Sequence, residues 1–160
     1  MCSSDLTPHL LQAGNDQITA KAFIIATGSI PRAGLVPGLD HARCLTSDTL
    51  LDLRKQPESL IVLGAGPVGL EFGQFFARIG TRVTIVQRSA AVLSHLDQQV
   101  GDALMQALGQ EGLSIITEAA IQKIDQAGTQ PAVHMSKQGQ MQVVSGEFVL
   151  NALGQIGRAH

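Results

Sequence analysis

Gly64-Ala65-Gly66-Pro67-Val68-Gly69 carries its glycines at GxGxxG spacing, between an apolar run at residues 60–63 and a stretch of helical periodicity. Strand, glycine turn and helix in that order form a cradle for a dinucleotide. Gly64 permits the tight turn, Gly66 lets the backbone approach a pyrophosphate, and Gly69 allows the helix to pack closely on the strand. The helix N-terminus, with Pro67 and Val68 in its first turn, turns unpaired N–H groups toward the anion, and a proline near the first helical position gives up no hydrogen bond. About 20 residues further on, at the end of the second strand, an acidic residue is expected on the adenosine ribose. Gln87 stands there, followed by Arg88. An amide bonds a hydroxyl without repelling a 2′-phosphate, and a guanidinium pairs with one, so the two favour NADPH over NADH. The competing readings are a purely structural glycine turn and, for Arg88, a solvated charge at a strand end.

Other chemistry-bearing residues point to less. Cys2 and Cys44 lack CxxC spacing and read as plain thiols. His9, His41, His95 and His134 show no HxxH or HxxxH spacing, so no metal site is expected. Asp97, Asp102 and Glu111 fall along one helical stretch and read as its solvated face.

The elements that must position the glycine motif follow from periodicity. Residues 60–63, the motif, a helix, Gly80 as its stop and a second strand, Arg82–Val86, make a β-α-β unit. Within the helix, Val68, Phe72, Phe75, Phe76 and Ile79 make a stripe expected to pack on the sheet. Before this unit, residues 18–26 read as a strand running into a glycine turn. Pro31, Gly34, Pro37 and Gly38 exclude regular structure from residues 29–43. Thr46-Ser47-Asp48 then offers an N-cap for a short helix through Leu53. After the unit come a helix over residues 96–110, with Val100, Leu104 and Leu108 on one face, and short strands at residues 114–116, 132–136, 141–144 and 147–153. Gly128 and Gly139 punctuate these strands into a β-meander inserted before a final strand. The fold class expected is therefore α/β, a Rossmann-like NAD(P)-binding domain with a parallel sheet and a β-meander.

Composition excludes several partners. With 160 residues, 44% of them hydrophobic, the chain is long enough to bury a core. Eleven Lys and Arg against thirteen Asp and Glu leave a net charge of −2, with no electrostatic footprint for nucleic acid or an anionic membrane surface. No apolar run approaches the roughly 20 residues that cross a bilayer, so a cytoplasmic protein is expected.

The two ends carry a further signal. The first six residues and the last six can be encoded by DNA strings that are reverse complements of each other, as one sequencing adapter read at both ends of an insert would give. Residues 1–6 and 155–160 are accordingly expected to be adapter-derived, and residues 7–154 to be an internal fragment of a longer reading frame.

From Ala22 to Gly154 the chain resembles the middle of the flavoprotein pyridine nucleotide-disulfide oxidoreductases, the family of dihydrolipoamide dehydrogenase, mercuric reductase and glutathione reductase. The matching pieces are IIATGSIPR, TSDTLLDL, PESLIVLGAGPVGLEFGQFFARIGTRVTIVQRS and NALG, in the family's order. The resemblance implies that Ala26, Thr27, Gly28 and Ser29, with Gly154, lie on the FAD side. It implies that residues 7–56 are the end of an FAD-domain segment and its linker, residues 57–150 the NAD(P)H-binding domain, and residues 151–154 the return to the FAD domain. It also implies that Glu71, in the GxGxxGxE extension, sits on the nicotinamide side, although an exposed helix carboxylate is the plainer alternative. The implied activity is hydride transfer between NAD(P)H and FAD, then to a small-molecule or protein disulfide or similar acceptor, in a parent that dimerises through a C-terminal domain. A fragment holding only these pieces is expected to be inactive alone. Two features depart from the pattern: Pro67 stands where a ring often covers the nicotinamide, and the chain has no CxxxxC pair. A stand-alone NAD(P)H-sensing Rossmann module is the alternative, and the ATGS strip argues against it.

Overall fold

The computed structural model describes residues 9–32, 36–40 and 43–157. The proposed adapter-derived residues 1–6 and 158–160, together with Cys2, Gly34 and His41, lie outside them. The chain divides into two compact units, residues 1–29 with 157–160, and residues 30–156.

In the first unit β1 (Leu10–Ala13) and β2 (Asp16–Thr19) form an antiparallel hairpin, Leu10 opposite Thr19, around Gly14 at φ 63°. The strand expected over residues 18–26 thus ends at Thr19. Residues 22–28 form no ladder, and Ile24 and Ile25 are 94% and 74% exposed. Apolar continuity signals a buried strand, but a buried strand needs paired and covering neighbours, and residues 22–28 pair with no strand among the described residues.

The second unit is built on a five-stranded, wholly parallel sheet. Its strands are β4 (Cys44–Leu45), β5 (Ser59–Leu63), β6 (Arg82–Val86), β7 (Ser114–Ile116) and β11 (Phe148–Asn151), in the order β4-β11-β5-β6-β7. Between them run α1 (Ser47–Leu50), α2 (Pro67–Arg78) and α3 (Gln98–Gln110). The antiparallel meander of β8 (Ala119–Ala127), β9 (Gln130–Lys137) and β10 (Gln140–Ser145) precedes β11. A ribbon of β3 (Ser29–Pro31) and β12 (Gln155–Gly157) completes the elements.

Every residue of β5 is buried, which a parallel strand covered on both faces requires. Leu60 and Val62 join Leu70, Phe76, Val83, Ile85 and Leu108 in a core on the helix side. Ile61 and Leu63 join Val86, Ile124, Val133, Met135 and Val149 in a second core under the meander. Strand alternation divides the side chains between the layers, and each fully buried one contributes about 2 kcal/mol relative to exposure. The result is the expected α/β fold, with helices on one face and the meander on the other.

Several local expectations are corrected. In α2 the buried residues are Gly69, Leu70, Gly73 and Phe76, while Phe75 and Ile79 of the expected stripe face outward. Glycine sets that face: a Cβ on Gly69 would lie 2.1 Å from Gly64 O, and one on Gly73 2.9 Å from Ile85 Cδ1. In α3 the inward residues are Gly101 and Leu108, with Leu104 half-buried and Val100 exposed. Asp97 is its N-cap, accepting the Gln99 N–H at 2.8 Å. The short helix capped by Thr46 ends at Leu50, three residues before Leu53. β3 occupies part of the stretch from which prolines excluded regular structure, because Pro31 closes an edge ribbon and needs to donate no hydrogen bond there. β12 lies within the segment expected to be adapter-derived; its exposed or half-buried side chains ask little of the sequence.

Candidate functional site

A cavity of about 520 Å³ opens at the C-terminal ends of β5, β6 and β11. The chain runs from β5 through β6 to β7 on one side and returns as β11 on the other, so the cavity sits where the strand order reverses. Open parallel sheets bind ligands at this switch point.

Three strand-to-loop transitions build its walls. After β5, Gly64 takes φ 97° and donates its N–H to Val86 O at 2.8 Å. A Cβ there would come 2.7 Å from Ala152 O, so the turn admits only glycine. Gly66 is the N-cap of α2, at φ −79° and ψ 178°, a backbone any residue adopts. A Cβ at Gly66 would meet nothing within 4 Å. Neither conformation nor packing among the described residues calls for glycine at this position. Pro67 opens the helix and no side chain caps its N-terminus, leaving first-turn N–H groups for an anion.

After β6, Gln87 and Arg88 line the cavity with Ser89. Gln87 is half-buried and its side chain turns to the glycine loop, where Oε1 accepts the Ala65 N–H at 3.1 Å. Arg88 is exposed. After β11, Ala152, Leu153 and Gly154 form the third wall, and Asn151 Nδ2 donates to Arg32 O at 2.9 Å, tying Arg32 to the rim. Arg32 and Arg88 both line the cavity, and among the described residues no acidic one does. The electrostatics therefore favour an anionic ligand.

Of the residues singled out from sequence, Gly64, Gly66, Gln87, Arg88 and Gly154 line this cavity. Pro67 and Val68 form the first turn of α2, and Gly69 serves the contact between helix and turn. Glu71 is exposed on α2 and does not line the cavity. Ala26, Thr27, Gly28 and Ser29 are exposed and belong to the other unit. Arg32, Val36, Ser94 and Ile121 are cavity residues that sequence reasoning missed. Only Arg32 carried a signal, as the cation ending the matched IIATGSIPR piece.

Cys44 and the group around Asp125 make structural contacts. Cys44 lies in β4 with its Sγ 3.7 Å from Gly38 O, and burial, aided by Asp40, pushes its thiol up to about 11, so it is protonated at neutral pH. His134 Nε2 lies 2.9 Å from Asp125 Oδ1, and Lys123 Nζ 2.7 Å from Asp125 Oδ2. Those bonds, Lys123 first, hold the Asp125 carboxyl below its ordinary value. Among the described residues no helix is long and apolar enough to cross a membrane.

A parallel sheet, a glycine turn and a cationic cavity at its switch point define an α/β protein with a candidate anion-binding site. Its family is given by comparison: residues 5–159 match the model for pyridine nucleotide-disulphide oxidoreductases, and the chain belongs to that family. It is 37% identical over 153 residues to a mercuric reductase of Bacillus cereus, covering 96% of this chain and 24% of that enzyme. It is 32% identical over 155 residues to a dihydrolipoyl dehydrogenase of Mycoplasma pneumoniae, covering 94% and 33%. Among solved structures, the Cu(II) complex of the HOCl-induced flavoprotein disulfide reductase RclA from Escherichia coli matches with a TM-score of 0.76 and 26% identity, covering 96% and 34%. The chain thus spans about a quarter to a third of the length of these relatives.

Proposed function

We propose that this chain is the NAD(P)H-binding portion of an FAD-dependent oxidoreductase of the disulfide reductase type, similar to mercuric reductase and dihydrolipoyl dehydrogenase. The observation that carries the reading is Gly66, a glycine that the protein's own backbone and packing do not need, open to a cationic cavity at the switch point. Gly64 shapes the turn, Gly66 admits the pyrophosphate, the first turn of α2 at Pro67 and Val68 faces it, and Gly69 seats the helix. Arg88 pairs with a 2′-phosphate, so the coenzyme favoured is NADPH. When bound, the reduced nicotinamide supplies a hydride to flavin, which passes electrons to a small-molecule or protein disulfide or similar acceptor. Glu71 is assigned to the nicotinamide side, and Ala26, Thr27, Gly28, Ser29 and Gly154 to FAD.

In this reading residues 7–56 and 151–154 belong to the FAD-domain side and residues 57–150 to the NAD(P)H domain. The exposed Ile24 and Ile25 support an FAD-domain strand whose neighbours come from the rest of the parent. A self-sufficient sensing module would bury them. The parent is assigned to the cytoplasm, as a homodimer joined through a further C-terminal domain, and without nucleic-acid or membrane partners.

The test is titration of the 160-residue chain with NADPH and NADH, followed by coenzyme fluorescence. NADPH binds more tightly than NADH, and Arg88→Ala weakens NADPH about tenfold while leaving NADH unchanged, the loss of one charge-assisted pair. Equal affinities in the wild type, or an equal loss for both coenzymes, refute the role of Arg88. The fragment does not oxidise NADPH with added FAD; a measurable rate contradicts the division of labour between this chain and the rest of the parent.

A further inference from the structure

Gln87 stands where the spacing places a reader of the adenosine ribose, yet its side chain is occupied elsewhere. Oε1 accepts the Ala65 N–H at 3.1 Å. Nε2 donates to Ser89 Oγ and, at 3.3 Å, to the Ala91 carbonyl, and Ser89 Oγ donates to that same carbonyl at 3.1 Å. Hydrogen-bond chemistry fixes the orientation of the amide. Reversing it would set an NH2 group against the Ala65 N–H and a carbonyl against the Ala91 carbonyl.

The backbone closes the other side. Leu93 N–H donates to Ala65 O at 3.0 Å, so both peptide groups of Ala65 are held by the segment 87–93. That segment is anchored in turn: Gln87 N–H donates to Ile116 O at 2.8 Å, and Ala119 N–H to Gln87 O at 3.0 Å. Ala65 precedes the N-cap Gly66, and fixing it fixes the entry to α2.

We infer that Gln87 is a positioning residue, a clamp that holds the glycine turn through Ala65 and sets affinity for the pyrophosphate, with no part in choosing between a 2′-phosphate and a 2′-hydroxyl. The inference rests on reading the cavity as a dinucleotide site. A 2′-phosphate is an acceptor and both amide protons of Gln87 are already placed, while Oε1, the atom that would take a 2′-hydroxyl proton, is turned to the Ala65 N–H. The choice then falls to Arg88, whose guanidinium holds no carboxylate among the described residues and lines the same cavity.

ADP-ribose and its 2′-phosphate differ only at the position in question, and both carry the pyrophosphate. Calorimetric titration of the 160-residue chain with each, in wild type and Gln87→Met, therefore separates clamp from reader. Gln87→Met is expected to raise both dissociation constants about tenfold with their ratio held within about twofold. Amide hydrogen exchange is expected to quicken at residues 64–70 and to stay unchanged in β8, β9 and β10. A ratio that moves threefold or more, two constants that do not move, or exchange unchanged at residues 64–70 overturns the inference. If Gln87→Met does not fold, Ser89→Ala removes the relay behind the amide, and a smaller loss, equal for both ligands, is required. If the wild type binds neither ligand, the dinucleotide reading itself fails, a result distinct from any change in ratio.

Discussion

Two segments of this chain carry small-residue motifs assigned to cofactors, Gly64 to Gly69 and Ala26 to Ser29, and they differ in what surrounds them. In the first, Gly64 and Gly69 each stand where a Cβ would strike backbone, at 2.7 Å from Ala152 O and 2.1 Å from Gly64 O. In the second, Gly28 has φ 77° but a Cβ there would meet nothing within 4 Å, and Ile24 and Ile25 beside it lie in the open. The first motif is part of a folded cradle. The second has the residues, but Ala26, Thr27 and Gly28 lie exposed and outside any strand ladder. A motif read from sequence thus states which ligand it suits, and only packing tells whether the chain at hand can assemble it.

The widest separation between the two segments is expected from added bulk. Gly69→Val drives its side chain into the backbone of the turn, which cannot yield as a flexible side chain would. The cost is about 4 kcal/mol, more than common overpacking because the obstacle is backbone, or roughly 8–16 °C in thermal midpoint. Gly28→Ala incurs only the penalty of a left-handed residue, about 1 kcal/mol. Equal shifts in calorimetric melting would erase the distinction. Truncation gives the next largest effect. Ile61→Ala, in the core under the meander, costs about 3 kcal/mol, while Ile24→Ala stays within about 0.5 kcal/mol. A large loss from Ile24→Ala in urea unfolding would show that the segment is packed in solution after all.

The same contrast explains what was legible beforehand. The β-α-β unit was, because β5, the glycine turn, α2 and β6 are contiguous and each follows from local chemistry. The inward face of α2 was not: an apolar stripe counts Phe75 and Ile79, whereas the sheet selects Gly69 and Gly73 for closeness. β8, the nine-residue strand of the meander, was missed for a different reason. Its register shifts between Ile121 and Lys123, so Ile121 and Ile124 sit three apart in sequence while both join the core under the meander. A bulge hides the period of two. At the site, glycine spacing located the turn and the residue after β6, but Arg32 reaches the rim through a hydrogen bond from Asn151, 119 positions away. No local pattern encodes that.

The cradle also differs from end to end, and this gives the smallest predicted effect. At its cavity end α2 is seated by buried glycine contacts; at its far end Arg78 makes two bonds of 2.8 Å to Glu111, the C-cap of α3. The Arg78 hydrogen bonds, then that from Gln74, hold the Glu111 carboxyl below its ordinary 4.5. A carboxyl with a lowered folded value stabilises the fold above the unfolded value, and that stabilisation fades as pH falls through the folded one. Asp125 contributes with the same sign, so the acid limb is shared, and only a difference between proteins isolates Glu111. Glu111→Gln is expected to lower the urea midpoint slightly at pH 7, by less than either glycine or core variant. The gap from wild type should close as pH falls below the ordinary carboxylate range and should shrink in 1 M salt, because the pair is exposed. A gap that persists unchanged in acid would assign the contribution to packing of the side chain rather than to its charge. The helix would then be seated by shape at both ends.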